Sequence, residues 1–198
     1  MTQIIGLTGG VGSGKSTVLS VLKKYFHCLE VSTDDISRHQ MEPGGTVYSQ
    51  VVEAFGTGIL AEDGTIDRAG LAAVVFADPQ KLQQLNALTH PAVTERVLEI
   101  VTQERAAARY DAVVIETALL IEGHYDAFCD QVWYVYAPEA ERRERLKQSR
   151  GYSEEKIADL FARQQSEEAY RSVATAVIDN SDGRTEQELY KCFLELLK

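Results

Sequence analysis

The eight residues from Gly9 to Ser16 (Gly-Gly-Val-Gly-Ser-Gly-Lys-Ser) restrict the possible folds more than any other part of this chain. They fit the pattern Gly-x-x-x-x-Gly-Lys-Ser/Thr, in which glycines allow a tight turn to point successive backbone N–H groups at a phosphate. The β-branched apolar run at residues 3–8 predicts a strand before the loop, and apolar residues at helical spacing predict a helix over 16–26. Strand, loop and helix follow in the order of a P-loop fold, which predicts an α/β chain with a parallel sheet.

The residue types in this loop point to a nucleoside triphosphate as its ligand. The helix that follows the loop offers free N–H groups and the positive end of its dipole, and both favour anions. Lys15 is placed to put a cation at the β- and γ-phosphates, and the Ser16 hydroxyl is placed to bind Mg²⁺. The alternative, a glycine-rich turn with a chance lysine, leaves the flanking strand and helix unexplained. The residues expected to bind the phosphates are Gly9, Gly10, Val11, Gly12, Ser13, Gly14, Lys15, Ser16 and Thr17.

Length and charge restrict the partners. A chain of 198 residues can bury one substantial core with a small insertion. Its net charge of −10 argues against a broad nucleic-acid surface, although a small anionic ligand needs only a local positive site. The three cysteines lack metal-ligand spacing and indicate reduced thiols, and no segment is long and apolar enough for a membrane span. We therefore expect a cytoplasmic protein that binds neither nucleic acid nor membrane and is monomeric or a weak homo-oligomer.

The second predicted strand, at residues 28–31, is followed by the polar sequence Ser32-Thr33-Asp34-Asp35. In open α/β sheets the ligand crevice lies beyond the carboxyl ends of the strands, so a carboxylate here can face the bound phosphates. The alternative is that Ser32, Thr33 or Asp34 caps a helix over 35–41. The residue pattern alone leaves both interpretations open.

The segment 46–108 is predicted to be helical and to contain no strong strand. Helices are expected over 46–55, from Asp67 as a cap, from Pro79, and from 92 to about 108, with His90-Pro91 separating the last two. A helical segment between the second and third strands is an insertion. The expected organisation is a core of residues 1–45 and 109–198 with an insertion at 46–108.

The remainder of the chain supplies three more strands and a basic helix. Strands are predicted at 110–116, 131–136 and 176–180, the first ending in Glu116, where P-loop proteins often carry an acid. A helix that opens at Pro138 carries Arg142 and Arg145 on one face and three further cations on the other. It is either a lid over phosphate oxygens, spanning about 138–165, or a solvated helix. Further helices are expected over 153–166 and 185–197.

Several motifs, taken together and in order, resemble the dephospho-CoA kinase family. They are Ile-Gly-Leu-Thr-Gly-Gly-Val-Gly-Ser-Gly-Lys-Ser-Thr at 5–17, Phe55-Gly56, Asp63-Gly64-x-Ile66-Asp67-Arg68, His90-Pro91, Leu119-Leu120-x-Glu122 and Val177-Ile178-Asp179-Asn180. The resemblance implies five parallel core strands, a helical CoA domain and a mobile lid. It also implies transfer of the γ-phosphate of ATP to the ribose 3′-hydroxyl of dephospho-CoA, with Mg²⁺.

The same resemblance implies roles for particular residues. Asp34 is expected to engage the acceptor hydroxyl, and Lys15 and the lid arginines Arg142 and Arg145 to stabilise charge on the phosphoryl group. Arg68 and His90 are candidates for substrate contact. A related small-molecule kinase, acting on a nucleotide, shikimate or gluconate, is the nearest alternative; a GTPase is disfavoured because no Asn-Lys-x-Asp segment occurs.

Three positions depart from the family pattern. Ser32 stands where an Asp is usual, Ala118 where a Pro is usual, and Thr175 where an Asp is usual. The departures leave the loop and Asp34 intact.

Overall fold

A computed structural model describes residues 1–117 and 119–198 and contains a five-stranded parallel sheet in the order β2-β3-β1-β4-β5. The predicted sheet is thereby confirmed. The strands are β1 (Gln3–Thr8), β2 (Cys28–Ser32), β3 (Ala112–Glu116), β4 (Gln131–Tyr136) and β5 (Ala176–Asp179). The central strand β1 pairs in parallel with both β3 and β4. Its position places the loop that follows it at the middle of the carboxyl edge of the sheet.

The helices are α1 (Lys15–Tyr25), α2 (Thr33–Gln40), α3 (Tyr48–Phe55), α4 (Arg68–Ala77), α5 (Pro79–Ala107), α6 (Glu139–Arg150), α7 (Glu154–Ala162), α8 (Glu167–Val173) and α9 (Glu186–Leu196). Side-chain caps start several of them, among them Asp67, which the sequence predicts as a cap. Asp67 accepts from the N–H of Ala69 at the start of α4, and Thr185 forms a capping box with Glu188 at the start of α9. Gly151 ends α6 with a left-handed φ of 60°. Among the described residues, no helix is both long and apolar enough to cross a membrane.

The chain divides into two compact units. The sheet unit comprises Met1–Val31 and Val101–Lys198, and the helical unit comprises Ser32–Ile100. These edges differ from the 45/46 and 108/109 boundaries expected from the sequence. The Gln40 side chain donates to the carbonyl of Ala92 at 2.9 Å, which ties α2 to the helical unit. Arg105, near the end of α5, pairs with Asp130 at 2.5 Å within the sheet unit.

Each unit has its own apolar core. In the sheet unit, α1 and α9 cover β1, β3 and β4, and Trp133 stacks on Phe193 with ring centroids 5.4 Å apart. In the helical unit, Val51, Leu71 and Val75 are buried together between α3 and α4. Removing a core side chain such as Phe193 to alanine costs about 3–5 kcal/mol of stability. The sheet unit is therefore a rigid support for the loop at its edge.

The predicted interruption of the helix at His90-Pro91 is wrong, because α5 continues through Pro91 for 29 residues. An internal proline costs about 3 kcal/mol because it removes one backbone hydrogen bond and crowds the preceding turn. Apolar residues on both sides of Pro91 offset that cost: Leu85 and Leu88 pack on the core of the helical unit, and Val93 and Val97 are buried. Tertiary packing overrides the local preference here.

The predicted helix over 153–166 ends earlier than expected, because α7 stops at Ala162 and residues 163–166 separate it from α8, which was not predicted from the sequence. Ser166 caps α8 by accepting from the N–H of Ala169 at 3.1 Å. The two glutamines in the break make side-chain contacts elsewhere, since Gln164 contacts Val11 and Gln165 donates to Glu122 at 2.8 Å. The break therefore directs polar side chains that a continuous helix would aim differently.

Candidate active site

The loop between β1 and α1 uses its glycines because other groups approach the backbone closely. Gly12 and Gly14 have φ values of 79° and 87°, in the left-handed region that side chains disfavour. A Cβ atom on Gly12 would lie 2.8 Å from the carbonyl oxygen of Arg142, and one on Gly14 would collide with the side-chain amide of Asn180. The loop conformation thus needs glycine for two reasons: the positive φ values, and the close packing of Arg142 and Asn180 against the loop backbone.

Two hydroxyls beside the loop have no hydrogen-bond partner among the described residues. They are the buried Oγ of Ser13 and the buried Oγ1 of Thr8 at the end of β1. Burying a polar group without a partner is costly, so such groups indicate a ligand. Lys15 directs its Nζ onto the carbonyl oxygen of Gly9 at 2.8 Å. The residues present therefore fit a phosphate group at the loop.

The residues that could serve a metal ion lie at the same edge. Ser16 and Thr17 are exposed in the first turn of α1. Glu116 ends β3 and lies in register with Leu7 of β1. Within the described ranges, no group of three His, Cys, Asp or Glu side chains could hold a metal by itself. A magnesium ion bound through one protein oxygen, waters and substrate phosphates fits this arrangement.

Arg142 on α6 makes three contacts, of which one is directly with the loop. Its Nε donates to the carbonyl of Val11 at 2.9 Å, and its Nη2 donates to Oε1 of Gln164 at 3.0 Å. The same Gln164 oxygen accepts from the N–H of Val11 at 2.7 Å, and the guanidinium lies 4.4 Å from the centroid of the Phe161 ring. Burial lowers the pKa of Arg142 from the usual arginine value. A cation is thus held, partly desolvated, against the backbone of the loop.

Arg145 lies one turn further along α6 and contacts the other side of the loop. Its Nη2 donates to the carbonyl of Asn180 at 2.8 Å and pairs with Asp182 at 2.6 Å, and its Nη1 lies 3.5 Å from the carbonyl of Ser13. The side chain of Asn180 donates to the same Ser13 carbonyl at 2.8 Å. The segment after β5 and the α6 arginine therefore hold the loop together.

The opposite face of α6 forms exposed pairs instead. Arg143 pairs with Glu154 at 3.2 Å, Lys147 pairs with the same carboxylate, and Arg150 lies 5.9 Å from the ring of Tyr152. The helix therefore has two distinct faces. Arg142 and Arg145 contact the loop, whereas the other three cations contact α7 and its preceding turn.

Asp34 lies in the first turn of α2, which begins at Thr33, two residues before the predicted start. Ser32 is the cap, because its hydroxyl accepts from the N–H of Asp35 at 3.2 Å. The carboxylate of Asp35 pairs with Arg38 at 2.8 Å. Asp34 is exposed and has no ion pair or hydrogen bond within the part of the chain that the structure describes. The capping role thus belongs to Ser32 and leaves the Asp34 carboxylate available.

The other predicted substrate residues lie in the helical unit. Arg68 is the exposed first residue of α4 and lines a cavity of about 780 Å³ with Leu71, Val75 and Phe76. His90 is exposed on α5 and does not line that cavity. The structure thus places Arg68, but not His90, in the wall of this cavity.

A family model described as dephospho-CoA kinase matches residues 3–186. The chain belongs to the dephospho-CoA kinase family. A dephospho-CoA kinase of Carboxydothermus hydrogenoformans is 40% identical over 179 residues, which are 90% of this chain and 85% of that protein. The predicted family is confirmed, and with it the classification as a kinase.

Solved structures agree with the fold. A crystal structure of a Thermus thermophilus protein covers 100% of this chain and 98% of its own, with a TM-score of 0.79 and 29% identity. A dephospho-CoA kinase from Campylobacter jejuni covers 99% and 98%, with a TM-score of 0.75 and 22% identity. The latter likeness supports the fold alone.

The three departures from the dephospho-CoA kinase pattern have different outcomes. Ser32 caps α2, a role that aspartate can also perform. Thr175 accepts from the N–H of Val132 at 2.9 Å and donates to its carbonyl at 3.0 Å, joining the start of β4 to the segment before β5. Ala118 lies outside the described residues.

The loop has two supporting residues that the sequence does not identify as site residues. Gln164 follows α7 and belongs to none of the motifs that carry the resemblance to dephospho-CoA kinases, so no local signal could have found it. Asn180 ends the motif at 177–180, and its place in that motif was the available signal. Both act through contacts made more than 150 residues apart in sequence.

The three cysteines are free thiols of the sheet unit. Burial raises the pKa of Cys28 to about 11 and that of Cys129 to about 12, and it also raises the pKa of Cys192. All three therefore stay protonated near neutral pH, where the thiolate is the reactive form. The chemistry of the site must come from its lysine, arginine and carboxylate groups.

Proposed function

We propose that this chain transfers the γ-phosphate of ATP to the ribose 3′-hydroxyl of dephospho-CoA, giving coenzyme A and ADP. One observation carries the proposal: in a member of the dephospho-CoA kinase family, the phosphate loop is held between Arg142 and Arg145 and has an unpartnered buried Ser13 hydroxyl beside it. Such a loop binds the phosphates of the donor nucleotide in phosphoryl-transfer reactions.

At the donor end, residues Gly9 to Thr17 bind the phosphates of ATP. Lys15 leaves the neutral Gly9 carbonyl for an anionic phosphate oxygen, which is the stronger acceptor. The Ser16 hydroxyl is the proposed magnesium ligand, with Glu116 nearby on the neighbouring strand. Mg²⁺, when bound, neutralises charge that develops on the β- and γ-phosphate oxygens.

The two arginines stabilise the negative charge on the phosphoryl group during its transfer. The Nε of Arg142 donates a hydrogen bond to Val11 and its Nη2 donates one to Gln164. Its Nη1 has no partner among the residues that the structure describes. Its remaining donors suit a phosphate oxygen. Preorganised cations that need not move during the reaction are the most effective stabilisers of transition-state charge. Residues of about 138–165, which carry them, are the proposed lid.

At the acceptor end, Asp34 accepts a hydrogen bond from the 3′-hydroxyl and orients its oxygen toward the γ-phosphorus. Such positioning accounts for much of the rate enhancement in phosphoryl transfer. Arg68 and His90 are the proposed substrate-binding residues of the insertion at 46–108. The core of residues 1–45 and 109–198 binds ATP.

The free thiols agree with a cytoplasmic enzyme. We propose that it acts as a monomer or weak homo-oligomer and binds neither nucleic acid nor membrane.

The test is an ADP-release assay with dephospho-CoA, AMP, CMP, shikimate and gluconate at equal concentration. Dephospho-CoA is expected to react fastest by orders of magnitude, with the new phosphate on the ribose 3′ position by NMR. Chelation of Mg²⁺ should abolish turnover, and added Mg²⁺ should restore it. Faster turnover of another acceptor, or phosphate at another position, would contradict the proposal.

A further inference from the structure

Gln164 lies in the break between α7 and α8, and its half-buried side-chain amide contacts the phosphate loop. Its Oε1 accepts from the N–H of Val11 at 2.7 Å and from Nη2 of Arg142 at 3.0 Å, and its Nε2 donates to the carbonyl of Leu160 at 3.0 Å. This orientation of the amide is fixed, because Val11 N–H and Arg142 can only donate and the carbonyl of Leu160 can only accept. Gln164 therefore presents a neutral acceptor to the loop in one defined direction.

The tip of the phosphate loop is a turn whose central peptide joins Val11 to Gly12. The N–H of Ser13 donates to the carbonyl of Gly10 at 3.1 Å, and Gly12, at the third position of the turn, has a φ of 79°. These are the features of a type II turn, which differs from type I by a rotation of the central peptide through about 180°. The rotation exchanges the directions of the Val11 carbonyl and the Gly12 N–H. The orientation of this one peptide therefore decides whether a given side of the turn presents a donor or an acceptor.

Two side chains hold this peptide in the orientation observed. Arg142 donates from Nε to the Val11 carbonyl at 2.9 Å, Gln164 accepts from the Val11 N–H, and the two side chains also bond to each other. They lie directly against the backbone, since a Cβ atom on Gly10 would lie 2.6 Å from Oε1 of Gln164 and would collide with the guanidinium of Arg142. A rotated peptide would lose its bond to Arg142, and Gln164 holds the other end of that guanidinium in place.

We infer that Gln164 is a positioning residue for the donor nucleotide, which keeps Arg142 and the Val11–Gly12 peptide in the orientation that a bound phosphate needs. The inference rests on the proposed function. In a P-loop the N–H groups of the glycine-rich turn point at the phosphates, so a rotated peptide would offer a carbonyl oxygen to an anion. A neutral amide suits this role, because a carboxylate in its place would offset the positive charge of Arg142 beside the phosphates.

Gln164→Met tests the inference, because methionine has a similar length and no oxygen to accept these hydrogen bonds. The dissociation constant of ATP with Mg²⁺, measured by calorimetry without an acceptor, should rise about tenfold, the factor expected for a lost hydrogen bond to a charged group. The KM for dephospho-CoA should stay within about twofold, because the acceptor does not depend on this peptide.

Gln165→Met is the matched control in the same break. Gln165 is exposed and donates to the exposed Glu122 at 2.8 Å, and it makes no printed contact with the loop. Its dissociation constant for ATP should stay within about twofold of wild type, since exposed polar contacts contribute little. An equal rise in Gln164→Met and Gln165→Met would show that the break as a whole supports the loop, and it would overturn the role assigned to the Gln164 amide.

A double-mutant cycle distinguishes positioning from general support of the fold. If Gln164 acts through Arg142, adding Gln164→Met to Arg142→Lys should raise the dissociation constant of ATP by no more than about threefold beyond the larger single effect. Effects that multiply would contradict the inference. So would a lower melting temperature of the nucleotide-free variant with an unchanged dissociation constant, which is the result of a purely structural role.

A second variant keeps the test decisive if Gln164→Met fails to fold. Gln164→Asn keeps the amide but shortens the side chain by one methylene, so its oxygen no longer reaches the Val11 N–H, and its dissociation constant for ATP should also rise. An active wild type whose affinity for ATP is unchanged in both variants contradicts only the role of Gln164. A wild type that binds ATP but releases no ADP with dephospho-CoA contradicts the proposed function instead.

Discussion

Exchanging Arg142 for lysine is the sharpest test of how α6 supports the phosphate loop. The guanidinium donates to the Val11 carbonyl at 2.9 Å and to Gln164 at 3.0 Å, while its plane covers the Phe161 ring. Lysine keeps the positive charge but has a single nitrogen, so it cannot repeat this forked contact. The substitution therefore removes the forked hydrogen bonds and the planar contact with the ring, and it leaves the net charge unchanged.

The expected effect follows from the contacts that are lost. One hydrogen bond to a charged group contributes about 1.5–3 kcal/mol, and the lost planar stacking adds about 0.5 kcal/mol. If about 2 kcal/mol of this loss falls on loop preorganisation, kcat/KM for ATP decreases about thirtyfold. The measurement is steady-state ADP release with ATP varied at saturating dephospho-CoA, with circular dichroism to verify the fold.

Arg143→Lys is the matched control on the same helix. Arg143 pairs with Glu139 and Glu154, whose side chains are 62% and 55% exposed, and exposed pairs contribute about 0–1 kcal/mol. Its kcat/KM for ATP should stay within about twofold of wild type. The reasoning is refuted if Arg142→Lys retains kcat/KM within twofold, or if both variants lose activity equally.

Three further predictions concern the loop, the acceptor carboxylate and the thiols. Lys15→Ala should lower kcat by orders of magnitude while the circular dichroism spectrum is unchanged, because its cation acts mainly in the transition state; near-normal turnover would remove the loop from the mechanism. Asp34→Asn should reduce kcat far more than Asp35→Asn at similar melting temperatures, and the reverse ranking would contradict the assignment of Asp34. Cys129, whose pKa burial raises to about 12, should react slowly with iodoacetamide at pH 8 in the folded enzyme and rapidly in urea; equal rates would show that the thiol is not buried.

The local sequence determines the parts of this protein that depend on neighbouring residues. The strand, loop and helix around Gly9–Ser16, the caps at Asp67 and Ser153, and the helix end at Gly151 are all set within a few positions. Backbone freedom and short-range hydrogen bonds act over one turn, so a pattern in the sequence suffices to locate them. The family resemblance rests on the same local motifs.

Capping at the start of α2 is an intermediate case. The residue pattern offers Ser32, Thr33 and Asp34 as equivalent caps, since all three side chains can accept a backbone N–H. The structure selects Ser32 and thereby leaves the carboxylate of Asp34 without a local role. A shift of two residues in the start of the helix decides whether Asp34 has a structural or a chemical function, and no propensity distinguishes the two.

Only the tertiary structure decides the contacts between distant segments. Helix α5 continues through Pro91 because buried side chains on both sides offset the local cost of the proline. Gln164 and Asn180 reach the loop across more than 150 residues, and Arg142 and Arg145 face it while their neighbours on α6 do not. Those contacts depend on where a strand or helix is packed, and a periodic pattern specifies which face is polar without specifying what that face meets.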